Sequence, residues 1–463
     1  MNFELTEERQ MLQDSLRRYL RDKYSTATRN EILEKPNGMS TEVWTQLAEL
    51  GVIGAMFTED QGGFGGAGFD IAVVFEELGR AGVVEPFMDS ALIGGRILAA
   101  CDKTDLVEEM IGGGLQLAVA HGEPTSRYDT SHVRTSVDGG KLNGRKAVVM
   151  NAENADHLIV SARASGDVAD EAGISLYLVA KDAAGLTIQG YPLLAGGRAA
   201  EVTLDGVEGD LLTEDGFAVL SDVMALATMA QCAETLGAMD TATKLTNDYL
   251  GTRKQFGRPI GTFQALAHRM ADMLIEMEQA RSAVINAAGN LNEDTRIRDM
   301  NISAAKNLLG RAGRLIAEEA IQMHGGIAMT QEYELAHIAK RIIMADHRFG
   351  GTDHHLERYM DIGAQHGNRH GALHGGIIAC ILDNAMGYGA AMHSSKDGSD
   401  KFLTISMNTQ FIAPAMKGRV TATGKVTGGG RSLMFLEGEL HDEDGRLLAT
   451  ATGVYKKVPE GRG

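Results

Sequence analysis

The sequence predicts a multidomain α+β protein, and three observations carry that prediction. The chain has 463 residues, against ~100–200 for a typical domain. Its apolar periodicity switches between helical and strand spacing three times. Its charge is uneven: residues 361–463 hold eleven Lys/Arg and ten Asp/Glu, net +1, so residues 1–360 carry −19 against a total of −18. Such a break marks a C-terminal domain of separate origin. The expected domains are 1–114, 115–215, 216–360 and 361–463.

Residues 1–112 read mostly as helix. Thr6 suits an N-cap, with Glu7 and Glu8 in the first turn where the helix dipole favours anions. Leu12, Leu16 and Leu20 form one apolar stripe. The run Gln61-Gly62-Gly63-Phe64-Gly65-Gly66 interrupts the helices as a loop. Between 115 and 212 the period shortens. Runs 115–120, 147–150, 157–162, 174–180 and 199–204 are strand-like, separated by turns such as Asp138-Gly139-Gly140 and Asn143-Gly144. A small antiparallel barrel or sandwich is expected.

Residues 216–348 return to helix over 221–250, 262–292, 298–324 and 332–346, which predicts a four-helix bundle. In the second of these, Phe263, Leu266, Met270, Met273, Leu274 and Met277 keep helical spacing and are expected in the core. The last segment predicts one apolar helix over 376–392. Strands follow over 401–412, 418–428, 432–441 and 446–457, with Asp444-Gly445 as a hairpin turn.

Composition narrows the function. With 44% apolar and 23% charged residues the chain is ordinary globular protein. A net charge of −18 disfavours nucleic acid or an anionic membrane as partner. Cys101, Cys232 and Cys380 are too far apart to suggest a zinc site, and they suit a reducing cytoplasm. The opening MNFELTEERQ does not read as a signal peptide. No membrane span and no metal are expected.

Specific strings carry a family resemblance. Arg253-Lys254-Gln255-Phe256-Gly257-Arg258-Pro259-Ile260 followed by Phe263-Gln264, then Gln322-Met323-His324-Gly325-Gly326, then Phe349-Gly350-Gly351-Thr352 resemble, in order, signatures of the acyl-CoA dehydrogenase family. The likeness covers about 1–360. It is nearest to the small subunit of heteromeric enzymes of the pimeloyl-CoA dehydrogenase kind. The resemblance implies N-terminal helices, a middle β-domain and a four-helix bundle. It also implies FAD as cofactor, α,β-desaturation of an acyl-CoA, and an electron-transfer flavoprotein as electron acceptor. The cofactor contacts it implies are Arg253, Gln255, Phe256, Gln322, Gly325 and Gly326, which in the family reach FAD across a subunit interface, together with Thr352.

The departures are one-sided. The family's usual catalytic Glu position is Gly350 here, and the alternative position is Ala227. Neither can take a proton. Its Thr-Glu-Pro reads Gly122-Glu123-Pro124, and its Trp-x-Thr-Asn reads Val148-Val149-Met150-Asn151. Residues lent across an interface are kept, whereas those serving the chain's own flavin ring are mostly lost. A second dehydrogenase-like subunit supplying the base is therefore expected, in a hetero-oligomer, with a homo-oligomer as alternative. Asp353, Asp346 and Glu334 remain candidate substitutes for the base.

The C-terminal segment resembles hotdog acyl-CoA thioesterases of the phenylacetate-pathway type. The resemblance rests on Asn368-Arg369-His370-Gly371-Ala372-Leu373-His374-Gly375-Gly376, on Asp383, and on Met407-Asn408 with Phe411-Ile412-Ala413-Pro414. It implies that the Gly375 N–H polarises the thioester carbonyl at a helix N-terminus. It implies Asp383, from the facing protomer, as base or nucleophile, with Asn368 and His374 positioning water and substrate. Thr404 falls where some members place a hydroxyl. Only residues 360–367 precede Asn368, so the hotdog domain is expected to lack its first strand. Two alternatives stay open: a non-catalytic subunit that completes a partner's FAD site, or a chain in which only the thioesterase is active.

Overall fold

The computed structural model describes residues 5–359, 372–395, 400–416 and 418–458. The chain divides into two compact units, Met1–Tyr359 and Met360–Gly463.

The first unit begins with helices α1 Glu7–Lys23, α2 Thr26–Glu34, α3 Thr41–Glu49, α4 Gly68–Ala81, α5 Gly95–Ala100 and α6 Thr104–Ile111. Thr6 caps α1 by accepting from the Arg9 N–H, and Leu16 and Leu20 are buried below it. A wide helical turn, Phe87–Gly94, leads into α5. The glycine loop after residue 61 closes on itself: a Cβ on Gly63 would lie 2.3 Å from the Phe57 carbonyl oxygen. Only glycine lets the chain fold back that tightly.

The middle segment holds β1 Leu117–Ala120, β2 Ser136–Asp138, β3 Lys141–Met150, β4 His157–Arg163, β5 Ile174–Ala180, β6 Leu186–Pro192, β7 Arg198–Glu208 and β8 Asp210–Thr213. They form a sheet in the order β6-β7-β3-β2-β4-β5-β8, with β1 beside β4. The expected all-antiparallel pairing is corrected: β1 and β2 each pair β4 in parallel. Sequence period marks a strand but not its direction, which follows from where the chain crosses over. β6, not among the expected strands, alternates half-buried Leu186 and Ile188 with exposed Thr187 and Gln189.

The bundle follows as α7 Gly216–Thr252, α8 Gln264–Gly289, α9 Thr295–His324 and α10 Glu334–Ala345. A short ribbon, β9 Lys254–Gln255 and β10 Arg258–Pro259, lies between α7 and α8, and α11 Thr352–Tyr359 ends the unit. Met270, Met273 and Met277 are buried as expected, but Leu274 is 49% exposed on the outer side of α8. By length and composition α7 could cross a bilayer, yet most of its apolar stretch is buried inside the bundle. It packs against α4, α8, α9 and α10. Its closest neighbour is α4, where glycines let the backbones approach. A Cβ on Gly79 would lie 1.9 Å from the Glu234 carbonyl oxygen, and one on Gly237 would lie 1.9 Å from that of Glu76.

The second unit contains α12 Gly375–Ser394, β11 Phe402–Phe411, β12 Val420–Gly429, β13 Leu433–Asp442 and β14 Leu447–Lys457. The strands form an antiparallel sheet in the order β11-β14-β13-β12. Helix α12 lies on one face and buries Ile378, Leu382 and Met386 against Leu436, Leu440 and Tyr455. It sits close because β12 carries Gly424, where a Cβ would be 2.3 Å from the Ala385 carbonyl oxygen. Gly445, at φ 78, turns β13 into β14. Among the described residues of this unit no strand precedes α12, although the Leu373 N–H bonds the Ala415 carbonyl at 2.8 Å.

The α4–α7 contact yields the first prediction. Gly237→Leu is expected to lower stability by at least ~1–3 kcal/mol through overpacking. Urea denaturation checks this, and an unchanged midpoint would refute it.

Candidate functional site

A cavity of about 720 Å³ opens in the first unit. Its walls are the ends of β1 and β3, the turn at Pro86–Asp89, one face of α7, and the segment 341–358. From α7 it receives Met224, Thr228, Gln231 and Glu234. Ala227 is fully buried and lies off that stripe.

Three ion pairs line or underlie the cavity. Arg348 binds Asp89 at 2.6 Å. Burial pushes the Asp89 carboxyl up, and Arg348 opposes that shift. Arg341 pairs with Glu234, which also accepts from Gln231 Nε2 at 2.9 Å. Lys146 Nζ reaches Glu123 Oε1 at 2.8 Å while fully buried. Burial alone would raise Glu123, but Lys146 and the Thr135 N–H and hydroxyl outweigh it and hold Glu123 at about 2. Burial lowers Lys146 to about 8, and burial beside Lys146 lowers His121 to about 3. Glu123 is thus ionised and His121 neutral at physiological pH.

The position expected for the base, Gly350, is closed off in a particular way. Gly350 has φ 103, and a Cβ there would lie 2.5 Å from His354 Cδ2 and 2.7 Å from His355 Nε2. His355 is held between the Phe349 carbonyl at 2.8 Å and the Ser303 hydroxyl at 3.2 Å, and burial lowers it to about 3. The place where a side chain at 350 would start is filled. Gly122 differs: a Cβ there would meet only the Ala147 carbonyl oxygen, at 3.5 Å. A side chain is sterically allowed at 122 and simply absent.

The proposed substitute acids are corrected. Asp353 is exposed, the Asp346 carboxylate holds the Thr352 hydroxyl at 2.9 Å, and none of Asp353, Asp346 or Glu334 lines the cavity. The sequence reading missed Asp89 and Glu234, which do. Each is an isolated acid in an apolar helical run, and that pattern was the available signal.

The residues expected to reach FAD across an interface lie elsewhere. Gln255 and Arg258 pair across the ribbon, with Phe256 at φ 53 and Gly257 at φ 78 forming its turn. Phe256 is 91% exposed. Arg253, Gln255, Gln322, Gly325 and Gly326 are exposed too. Tyr249 of α7 stacks on His324 of α9 with centroids 4.4 Å apart, which brings both strings to one end of the bundle. Cβ atoms on Gly325 or Gly326 would meet nothing within 4 Å. A guanidinium, amides, an uncovered aromatic ring and an open glycine turn fit the diphosphate and adenine of FAD. Thr352 is not among them: its hydroxyl donates to Asp346, and its carbonyl accepts from Asn307 at 3.0 Å.

In the second unit His374 precedes α12, and its Nδ1 accepts from the Gly376 N–H at 3.0 Å. That nitrogen is spent on the cap. Gly375 opens the helix beside Phe411, whose ring leaves a Cβ only 3.1 Å. Half-buried Asp383 accepts at Oδ1 from the Thr404 hydroxyl and from the Tyr455 hydroxyl, both at 2.8 Å. Tyr455 was missed by the sequence reading. Asn368 lies outside the described residues. No cluster of metal-binding side chains occurs among the described residues.

Models of the acyl-CoA dehydrogenase N-terminal, middle and C-terminal domains match residues 6–104, 118–207 and 214–360. The chain belongs to the acyl-CoA dehydrogenase family. This family of oxidoreductases uses FAD. A thioesterase superfamily model matches 370–449. Benzylmalonyl-CoA dehydrogenase of Aromatoleum aromaticum is 31% identical over 310 residues, 62% of this chain and 80% of that protein. The caffeyl-CoA reductase-Etf complex subunit CarC of Acetobacterium woodii is 25% identical, covering 71% and 91%. The solved structure of the Tcur3481-Tcur3483 steroid ACAD G363A variant is 28% identical with a TM-score of 0.69, covering 76% of this chain and 96% of that one.

Restoring the family's carboxylate alone is predicted to fail. Gly350→Glu forces a side chain into left-handed backbone and into two histidines. It is expected to cost ~1–3 kcal/mol, and adding His354→Ala is expected to recover part of that. Thermal melts of both variants check it.

Proposed function

We propose that this chain is a subunit of a cytoplasmic FAD-dependent acyl-CoA dehydrogenase, lending half of an FAD site to a second dehydrogenase-like subunit that supplies the base. It also carries an acyl-CoA thioesterase module. The working domain bounds are 1–114, 115–215, 216–360 and 361–463. The observation that carries the reading is the contrast between a filled base position at Gly350 and the exposed group Arg253, Gln255, Phe256, Gln322, Gly325 and Gly326.

FAD, when bound, accepts the β-hydrogen of the acyl thioester as hydride. The part of this chain is to hold the cofactor's diphosphate and adenine end from across the interface. Thr352 belongs to this reading only as a brace on Asp346. The Tcur3481-Tcur3483 structure is named for two proteins, which supports a two-chain enzyme. The name of CarC supports an electron-transfer flavoprotein as acceptor.

For the thioesterase, hydrolysis adds one water across the C–S bond. The water oxygen bonds the acyl carbon, a water proton passes to Asp383, and the departing CoA sulfur receives a proton. Gly375 and Asp383 are eight residues apart on α12, or ~12 Å along the helix axis. One thioester cannot meet both on a single copy, so the reading requires Asp383 of a second copy to face the Gly375 N–H of the first. The Gly375 N–H and the helix dipole then stabilise the developing oxyanion.

Two outcomes are predicted. Stoichiometric flavin is expected only on co-expression with the partner subunit, and Arg253→Ala with Phe256→Ala in this chain is expected to empty the complex of FAD. Absorbance at the flavin bands checks this, and full flavin in the chain alone would reject it. Acyl-CoA hydrolysis by the full chain, read as free-thiol release, is expected to fall ~10²–10⁴-fold in Asp383→Asn. Equal rates would leave the second unit as an assembly element.

A further inference from the structure

Tyr455 sits on β14, one of the two inner strands of the sheet, and is 1% exposed on the face that α12 covers. Its ring is accommodated by Gly453, two residues earlier on the same face: a Cβ there would lie 2.6 Å from Tyr455 Cε2. The hydroxyl therefore emerges at one fixed place beneath α12. There it donates to Asp383 Oδ1 at 2.8 Å and lies 3.2 Å from the Asp383 backbone carbonyl oxygen. Thr404, on the edge strand β11, brings a second hydroxyl to the same Oδ1 at 2.8 Å. No donor among the described residues reaches Oδ2.

We infer that Tyr455 is a positioning residue of the thioesterase, holding Asp383 in a single rotamer and occupying Oδ1, so that Oδ2 alone is presented to water. This rests on the thioesterase reading above. A free aspartate on a helix samples several rotamers, and misplacing a reacting group by ~1 Å can cost ~10²-fold in rate. Two hydroxyls fixed on neighbouring strands and converging on one oxygen remove that freedom. One donor is buried and cannot swing away, and the other is exposed. Burial and the adjoining Asp383 raise the Tyr455 hydroxyl well above its ordinary range, so it stays a protonated donor at any pH the enzyme meets.

The test uses the full chain, a panel of acyl-CoA thioesters and free-thiol release. Tyr455→Phe keeps the ring and removes one oxygen. It is expected to lower kcat ~10–100-fold with KM within about twofold. Thr404→Val is expected to lose several-fold in kcat, and Thr404→Ser, which keeps the hydroxyl, to lose less than Thr404→Val. A residue that only packs the core would move the melting temperature and not split kcat from KM. If Asp383→Asn is inactive and Tyr455→Phe retains wild-type kcat, the inference is overturned and the thioesterase reading stands. If Asp383→Asn hydrolyses as fast as wild type, the reading itself fails. Should Tyr455→Phe melt early, kcat is read well below its melting temperature, where a wild-type value overturns the inference, and Thr404→Val, which removes the exposed second donor, reports on Thr404 separately.

Discussion

The closeness of α4 to α7 is the constraint on which the first unit depends. With glycine at 79 and 237, the two backbones meet without intervening side chains. That contact fixes α7 in rotation, and the cavity face of α7 follows. Met224, Thr228, Gln231 and Glu234 turn toward the cavity while Ala227 does not. The same helix ends at the ribbon that displays Phe256, and its Tyr249 stacks on His324 beside the Gly325-Gly326 turn. One packing decision thus sets both the interior wall and the outer display.

On the proposed reading, the loss of the chain's own flavin-ring contacts has two physical characters. At Gly122 a side chain would fit and none is present. At Gly350 the surrounding structure has closed in, with His354 and His355 where a base would begin. The first change is reversible by one substitution, whereas the second has been absorbed into packing. The cavity nevertheless keeps its charged lining, because each buried charge has its partner: Asp89 with Arg348, Glu234 with Arg341, Glu123 with Lys146. Removing one member of such a pair would strand the other in low dielectric, and that penalty preserves the set.

In the second unit the helix and the sheet are joined by polar contacts as well as apolar ones. Tyr455 and Thr404 reach Asp383 from two adjacent strands. β11 lies at the edge of the described sheet and presents Leu403, Ile405 and Phe411 to the outside. An apolar edge of this kind needs cover, and on the proposed thioesterase reading the ~12 Å between Gly375 and Asp383 asks for a second copy as well.

Much of this was legible in the sequence. Thr6, the leucine stripe of α1, the bundle helices, the last four strands and the glycine turn at 445 follow from capping chemistry and apolar period, which are local properties of the chain. The strings around Arg253 and Gln322 could be read because their residue types keep a fixed order and spacing. Tertiary structure alone decided the rest. Strand direction in the β-domain depends on crossovers, and Leu274 left the core because the bundle covers only one side of α8. Asp89, Glu234 and Tyr455 became site residues through contacts with Arg348, Arg341 and Asp383, which lie 259, 107 and 72 positions away. A sequence pattern reports what a residue does to its neighbours along the chain, whereas the meaning of a buried charge or hydroxyl is set by the partner that folding brings to it.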